Sequence, residues 1–294
     1  MYAIEAVEKR AIQRHYDLST LFYRLVWGSH IHHGLWDGDE SPQAAQGNLT
    51  DTLAAQAGLR PGDRVLDVGC GMGGSAIHLA RKLQCEVTGI TLSPVQRFWA
   101  KTSAWWSGVG KRTQFHRQDA ETANFEPASF DVVWSVECTE HLFDKAAFFQ
   151  RAAQWLRPGG RMAICAWLAK EEALNGDDRR LLHDVCQGML CPSLGSRLDY
   201  TQWFQQGGLR VTRFEDWTSR VARTWEICRE RTERYRLRSL ARWVDRDSVA
   251  FLDRFQTMLD AYASGAMRYG CLIAEKPVEV GSTPLVSAQV RSGE

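Results

Sequence analysis

Several things are missing from this 294-residue chain, and each absence narrows what it can be. No run of about 18 apolar residues occurs, so no membrane-spanning helix is expected. The eight cysteines (Cys70, Cys85, Cys138, Cys165, Cys186, Cys191, Cys228, Cys271) include no C-x-x-C pair. That spacing speaks against a zinc site or a disulfide framework and for free thiols in a reducing compartment. Neither sign of charge is in excess: 36 Lys and Arg stand against 35 Asp and Glu, so no global attraction to nucleic acid or an anionic membrane is expected. There is no internal repeat and no low-complexity block. The opening stretch, MYAIEAVEKRAIQRHYD, is charged throughout and has no apolar signal core, so a cytoplasmic location is expected. The one surplus is tryptophan, with 12 residues. It fits either an aromatic-lined pocket or plain core filling.

The pattern along the chain is strand–helix alternation. Residues 1–40 read as short helices and loops ending in a polar turn at Asp37–Pro42. A helix from Gln43 to Ala57 is stopped by Gly58 and Pro61. Short apolar strands follow at Arg64–Val68, Cys85–Thr91, Thr113–Arg117, Phe130–Val136 and Arg161–Trp167. Helices are expected at Gly73–Leu83, Pro94–Trp106 and Lys145–Leu156. Leu209–Trp217 and Tyr269–Lys276 complete the strands. This predicts an α/β fold with a Rossmann-like, seven-stranded, mostly parallel sheet and helices on both faces. Residues 169–206 and 218–265 break the rhythm and read as helical cap insertions. The expected organisation is an N-terminal lid (1–41), a cofactor-binding core (42–168), a helical cap with the last two strands (169–280), and a disordered tail (281–294).

The strongest local signal is Val65-Leu66-Asp67-Val68-Gly69-Cys70-Gly71-Met72-Gly73-Gly74, a buried strand ending in an acid before a glycine-rich turn that opens a helix. Glycine allows positive φ and close backbone approach to a ligand. In dinucleotide folds such a turn holds a pyrophosphate at the helix N-terminus. An acid at Asp67 would repel a pyrophosphate but suit a cationic ammonium. S-adenosylmethionine (SAM) carries an ammonium and a sulfonium, so the acid favours SAM over NAD.

With these elements the chain resembles the class I SAM-dependent methyltransferases over nearly its whole length. The resemblance implies that the turn from Asp67 through Gly69 and Gly71 holds the carboxypropyl end of SAM. It also implies that Asp119 and Ala120, in Gln118-Asp119-Ala120, meet the adenine. Where many members carry a ribose-binding acid, this chain has Thr91, with Gln96 nearby. That departure resembles the branch of cyclopropane fatty-acid synthases, sterol methyltransferases and gamma-tocopherol methyltransferases. Tyr16-Asp17, Phe22-Tyr23, the stretch from Trp27 to Trp36, and Glu137-Cys138-Thr139-Glu140-His141-Leu142-Phe143 look most like the gamma-tocopherol subgroup, although Phe143 replaces a usual proline. Asp216-Trp217-Thr218-Ser219 and Trp225 resemble its C-terminal half, and beyond Trp225 the similarity fades. The resemblance implies an N-terminal segment closing over SAM, with Tyr16 and Tyr23 lining the methyl-transfer channel.

Methyl transfer from a sulfonium is an in-line displacement that needs orientation, exclusion of water and, for some nucleophiles, a base. His141, beyond a strand's carboxyl end, is the expected base. Glu140 is expected to orient it, and Glu137 to face either substrate or lid; a structural role stands as the alternative for all three. Tyr16, Tyr23, Trp27 and Trp36 are candidates for cation–π contact with the sulfonium, with core packing as the alternative for the two tryptophans. His30, His32 and His33 suggest a metal cluster on their own, but in such a lid no catalytic metal is expected. Nine arginines between Arg220 and Arg246 read either as a solvated helix face or as a clamp for a phosphate. The expected partner is a small apolar or amphiphilic substrate, foremost a prenylated phenol or quinol methylated on carbon. The alternatives are a prenyl diphosphate alkene, nitrogen or oxygen methylation of a secondary metabolite, and, from another class, a SAM-binding protein without activity.

Overall fold

The structure, a computed structural model, describes residues 1–5, 7–26, 28, 30–235 and 246–278. Its centre is a seven-stranded sheet built from β2 (Arg64–Val68), β3 (Glu86–Thr91), β4 (Thr113–Arg117), β5 (Phe130–Val136), β6 (Leu156–Ala169), β8 (Arg210–Asp216) and β9 (Met267–Glu275). The spatial order is β4-β3-β2-β5-β6-β9-β8. Every adjacent pair is parallel except β6–β9 and β8–β9, so β9 alone runs against the rest. A short pair, β1 (Tyr2–Ala3) with β7 (Ser193–Leu194), lies apart from this sheet.

The pleat divides the core. Val65, Val87 and Val132 point to one face, and Leu66, Val68 and Val133 to the other. The first face is covered by α2 (Pro42–Gln56), α3 (Gly74–Lys82) and α4 (Pro94–Trp106), through Leu49, Leu53, Ala76, Leu79, Ala100 and Ala104. The second is covered by α5 (Lys145–Trp155) and α7 (Arg197–Gln206), where Phe148 and Phe149 meet Tyr200 and Phe204. Side chains of Ser41 and Ser93 cap α2 and α4 at their N-termini, each with proline as the first helical residue.

Three boundaries differ from the sequence reading. The N-terminal region holds one 18-residue helix, α1 (Lys9–Val26), in place of short pieces. Strand β6 begins at Leu156, because Leu156 pairs with Phe130 and the Pro158-Gly159-Gly160 turn is bonded to Lys276 at the end of β9. Helix α7 packs on α5 beneath the sheet, so residues 197–206 cover a sheet face. The remaining helices between the late strands are α6 (Gly176–Gly188), α8 (Thr218–Val221), α9 (Arg223–Arg234) and α10 (Arg246–Ser264), with α10 packed on both α6 and α9. The side chains of Tyr23 and Arg246, residues Trp27, Arg236, Arg238 and Arg242, and the 281–294 tail lie outside the described residues.

Candidate functional site

In this sheet, β2 connects forward to β3 on one side and has β5 on the other, so a crevice opens beyond the carboxyl ends of β2 and β5. Gly69, Gly71 and Gly73 all have positive φ there (+77°, +53° and +82°). Gly69 cannot be replaced, because a Cβ would sit 2.3 Å from the Cys138 Sγ in the loop after β5. Gly71 instead faces open space, with only Ile31 Cδ1 at 3.9 Å. Asp67 is buried at the end of β2, and its Oδ2 has no hydrogen-bond partner. Burial pushes its carboxyl up to about 7, against the pull of the Ala76 N–H at the start of α3. A buried carboxylate oxygen without a partner, beside an open glycine, fits the ammonium of SAM, which would supply both the missing bond and the missing charge.

At the end of β3, Thr91 donates to Gln96 Oε1 at 2.9 Å, and both are buried. Ser93 donates to the carboxylate of Asp17 on α1. Helix α1 thus brings a carboxylate beside Ser93, whose N–H is bonded to the Thr91 hydroxyl. Asp17 was not singled out as a site residue by sequence, although its Tyr-Asp pairing with Tyr16 was the available signal. Asp119 is engaged on both oxygens: Oδ2 accepts from Lys9 of α1 at 2.7 Å, and Oδ1 accepts from the Glu121 N–H at 2.9 Å. Lys9 also meets Glu121 at 2.6 Å. Ala120 is buried next to this pair. Lys9 was not anticipated.

His141 sits in a 3-10 turn (Thr139–His141) after β5. Its Nδ1 lies 3.0 Å from the Leu190 carbonyl, which can only accept, so Nδ1 carries the proton. Nε2 is therefore an acceptor, and it lies 2.8 Å from the Tyr16 hydroxyl. Burial lowers the His141 pKa to about 4, so the ring is neutral. Glu140 does not orient it. Glu140 turns under the sheet end, where Oε1 accepts from the Trp167 N–H at 2.6 Å and Oε2 is unbonded. Burial pushes its carboxyl up to about 8. Lys145, buried beside it, is lowered to about 8 and donates to Leu142 O and Ser193 Oγ.

Glu137 faces the lid. Its backbone adopts φ +53°, and its side chain collects the His33 N–H at 2.9 Å and the Tyr269 hydroxyl at 2.8 Å on Oε1. His33 Nδ1 lies 2.9 Å from Oε2, but off the direction an N–H bond requires, so this contact is electrostatic. Burial opposes ionisation of Glu137, yet the neighbouring histidines and the His33 N–H hold its pKa below the usual range. Trp167, Trp225, Tyr262 and Tyr269 surround the His33 ring.

The other lid histidines form a chain. His32 donates from Nδ1 to His33 O, so its Nε2 accepts from His30 Nδ1 at 2.9 Å and from Ser75 of α3 at 3.3 Å. Gln46 of α2 donates to His30 O. Among the described residues, no group of three or more His, Cys, Asp or Glu side chains is arranged to hold a metal. Trp36 is packed against α9, donating to Thr224 at 3.1 Å under the Arg223 guanidinium. Arg220 pairs with Asp37, and Arg223 with Asp39 and Gly38 O, so these two arginines tie α8 and α9 to the lid.

A doubly covered sheet of this order, with an acid and a glycine turn at the end of its first parallel strand, defines a Rossmann-like SAM-dependent methyltransferase. Residues 5–270 match the family described as Mycolic acid cyclopropane synthetase, and the chain belongs to that family. It is similar to the chloroplastic tocopherol O-methyltransferase of Arabidopsis thaliana, 32% identical over 92% of this chain and 83% of that protein. It is also similar to the 27-O-demethylrifamycin SV methyltransferase of Amycolatopsis mediterranei (strain S699), 33% identical over 90% of this chain and 97% of that protein. The cyclopropane synthase MmaA2 of Mycobacterium tuberculosis shares the fold, with a TM-score of 0.81 at 21% identity over 93% of this chain and all of that one. The enzyme uses SAM. Among the described residues, no helix is long and apolar enough to cross a membrane.

Proposed function

We propose that this enzyme methylates a ring carbon of a small, largely apolar prenylated phenol or quinol. In this reading Asp67, Gly69 and Gly71 hold the amino-acid end of SAM. Thr91, Gln96 and Asp17 take the ribose, and Asp119 with Ala120 takes the adenine, with Lys9 giving way. Bound there, SAM supplies an electrophilic methyl on a sulfonium whose leaving group is neutral. Tyr16 lines the channel, Glu137 latches the lid over it, and Glu140 supports the floor; the channel role expected of Tyr23 falls on a side chain outside the described residues. The domain division keeps 1–41 as lid, 42–168 as cofactor core and 169–280 as cap with the last strands, with α7 serving the sheet. The free thiols, seven of the eight buried, suit the cytoplasm.

The observation that carries the reading is the neutral His141 with Nε2 aimed at a phenolic hydroxyl. Taking a proton from a neutral phenol of pKa near 10 onto an imidazole at about 4 is uphill by roughly 6 pK units, about 8 kcal/mol. That is a poor way to start methylation on oxygen. A ring that has just gained a methyl on carbon is a strongly acidic cation, and a weak, desolvated base suffices. Its proton passes to the Tyr16 oxygen while the Tyr16 proton passes to His141 Nε2, leaving imidazolium and restoring the aromatic ring. The tocopherol relative supports a tocopherol-like substrate, while its name and that of the rifamycin relative point to methylation on oxygen, so the atom methylated rests on the His141 argument and on the test below. Against the prenyl diphosphate alternative, two of the nine arginines that could clamp a phosphate, Arg220 and Arg223, are engaged by residues 37–39.

The test is transfer of labelled methyl from SAM to a prenylated quinol, with the product's methyl located by NMR. Carbon methylation with wild type, and a kcat lowered about 10²–10⁴-fold in His141→Ala with SAM affinity retained, is expected. Methyl on oxygen, or an unchanged kcat in His141→Ala, overturns the assignment.

A further inference from the structure

Helix α4 covers the sheet with one side and presents an aromatic stripe on the other. Phe98 is 64% exposed, Trp105 69% and Trp106 76%, the largest exposures among the described aromatic side chains. They are spaced i, i+7 and i+8, so they share one side of the helix. Trp105 and Trp106 rings touch edge to face at 4.8 Å. Leaving three such rings in water is unfavourable unless something covers them.

The charge around this stripe is one-sided. From Leu92 to Gln118 the chain has Arg97, Lys101, Lys111, Arg112 and Arg117 and no carboxylate, although acids and bases are nearly equal over the whole chain. Lys101, Lys111, Arg112 and Arg117 are exposed. Arg24 of α1 adds a guanidinium over the Trp99 ring at 4.6 Å. The neighbouring strand β3 contributes one acid, Glu86, at its amino end. A hollow of about 440 Å³ beside the stripe is lined by Lys101, Trp105, Gly108 and Lys111, among others. Exposed Trp and Phe ringed by Lys and Arg match the two layers of a bilayer surface, rings at the acyl boundary and cations at anionic headgroups.

We propose that this face of α4, with the following turn, seats the enzyme on an anionic lipid bilayer. The near-zero net charge of the protein leaves that attraction local to one side. Helix α4 also starts at Ser93 and Gln96, beside the position given to the SAM ribose, and α1 of the lid lies against it. A bilayer on this face therefore adjoins the lid. The proposal does not depend on the substrate assignment, and its test uses neither SAM nor substrate.

The experiment is co-sedimentation of the full chain with vesicles of phosphatidylcholine containing 30% phosphatidylglycerol, and of pure phosphatidylcholine, a fraction chosen at roughly the point where polybasic segments bind. Binding to the anionic vesicles, weakened by salt, is expected. The triple variant Phe98→Ala/Trp105→Ala/Trp106→Ala should partition at least about tenfold less, as should Lys101→Glu/Lys111→Glu, which leaves the rings in place. All three substituted rings are exposed, and circular dichroism melting checks that each variant folds. No sedimentation of the wild type, or equal sedimentation of a folded triple variant, overturns the proposal. So does a light-scattering mass of two chains that falls to one in the triple variant, since a second copy would then be the occupant.

Discussion

Asp67 offers a stability and a binding prediction from one atom. Its carboxyl titrates near 7 in the folded protein because burial disfavours the charge and Oδ2 has no partner. An aspartate in the unfolded chain titrates at 3.8, so the folded state holds this proton more tightly than the unfolded state does. The contribution to stability is therefore complete below about pH 3.8 and is lost as pH rises through 7. At pH 8 the ionised group costs roughly 4 kcal/mol, from about three pK units at 1.36 kcal/mol each. Asp67→Asn removes that cost, and the ligand-free protein should melt on the order of 10 °C higher at pH 8. The same change removes the charge proposed to hold the ammonium, so SAM should bind far more weakly and its thermal upshift should nearly vanish. In wild type, SAM binding at pH 6 should release about 0.9 proton as the carboxyl ionises, and affinity should fall about tenfold from pH 8 to pH 6. Calorimetry in buffers of different ionisation enthalpy reads the proton directly. An unchanged melting temperature in Asp67→Asn, or SAM binding with no proton release at pH 6, would refute the reasoning.

Two further outcomes follow from the lid and the turn. Burial lowers the pKa of His30 and His32, so the unfolded state binds more protons than the folded one below about 6.5. Their contribution is present above pH 6.5 and is lost as pH falls toward their folded values, while that of Glu137 is lost lower, as pH falls through its depressed pKa. Limited proteolysis within residues 30–36 should thus rise between pH 8 and pH 5.5, and Glu137→Gln should destabilise the chain by roughly 3 kcal/mol; equal cleavage at both pH values would remove the histidine chain from this role. Gly69→Ala should prevent folding at 37 °C because its Cβ would overlap Cys138, whereas Gly71→Ala should cost only about 1–2 kcal/mol of left-handed strain yet still impair SAM binding. Thermal melts of the two variants check the contrast.

The parts of this molecule that were legible in sequence are those encoded by neighbours along the chain. Strands β2 and β5 are short apolar runs bounded by glycine, proline or polar residues, and the turn after β2 carries its own glycines and acid. Helix α1 was read as fragments because His15, Tyr16, Asp17, Ser19 and Thr20 are weak helix formers in its middle. Contact with α4 and a Thr20 hydroxyl bond to the Tyr16 carbonyl accompany its continuity. Glu140 looked like a loop acid able to reach His141. Its true neighbour is the Trp167 N–H, 27 residues away, and nothing local announces that.

The latch joins Glu137 to His33 and to Tyr269, across separations of 104 and 132 residues. Spacing cannot show such a pairing, but chemistry can limit it. Three histidines within four residues that close over a dry site must each find an acceptor, a donor or a carboxylate, because buried polar groups left alone are costly. A glutamate at the end of β5, at the mouth of the same crevice, is the acid the sequence offers to either the substrate or the lid. The same reasoning explains why Asp67 remains without a partner on Oδ2 while Glu137 is saturated. Glu137 holds the protein to itself, whereas the role proposed for Asp67, receiving a cation from outside, needs an oxygen kept free.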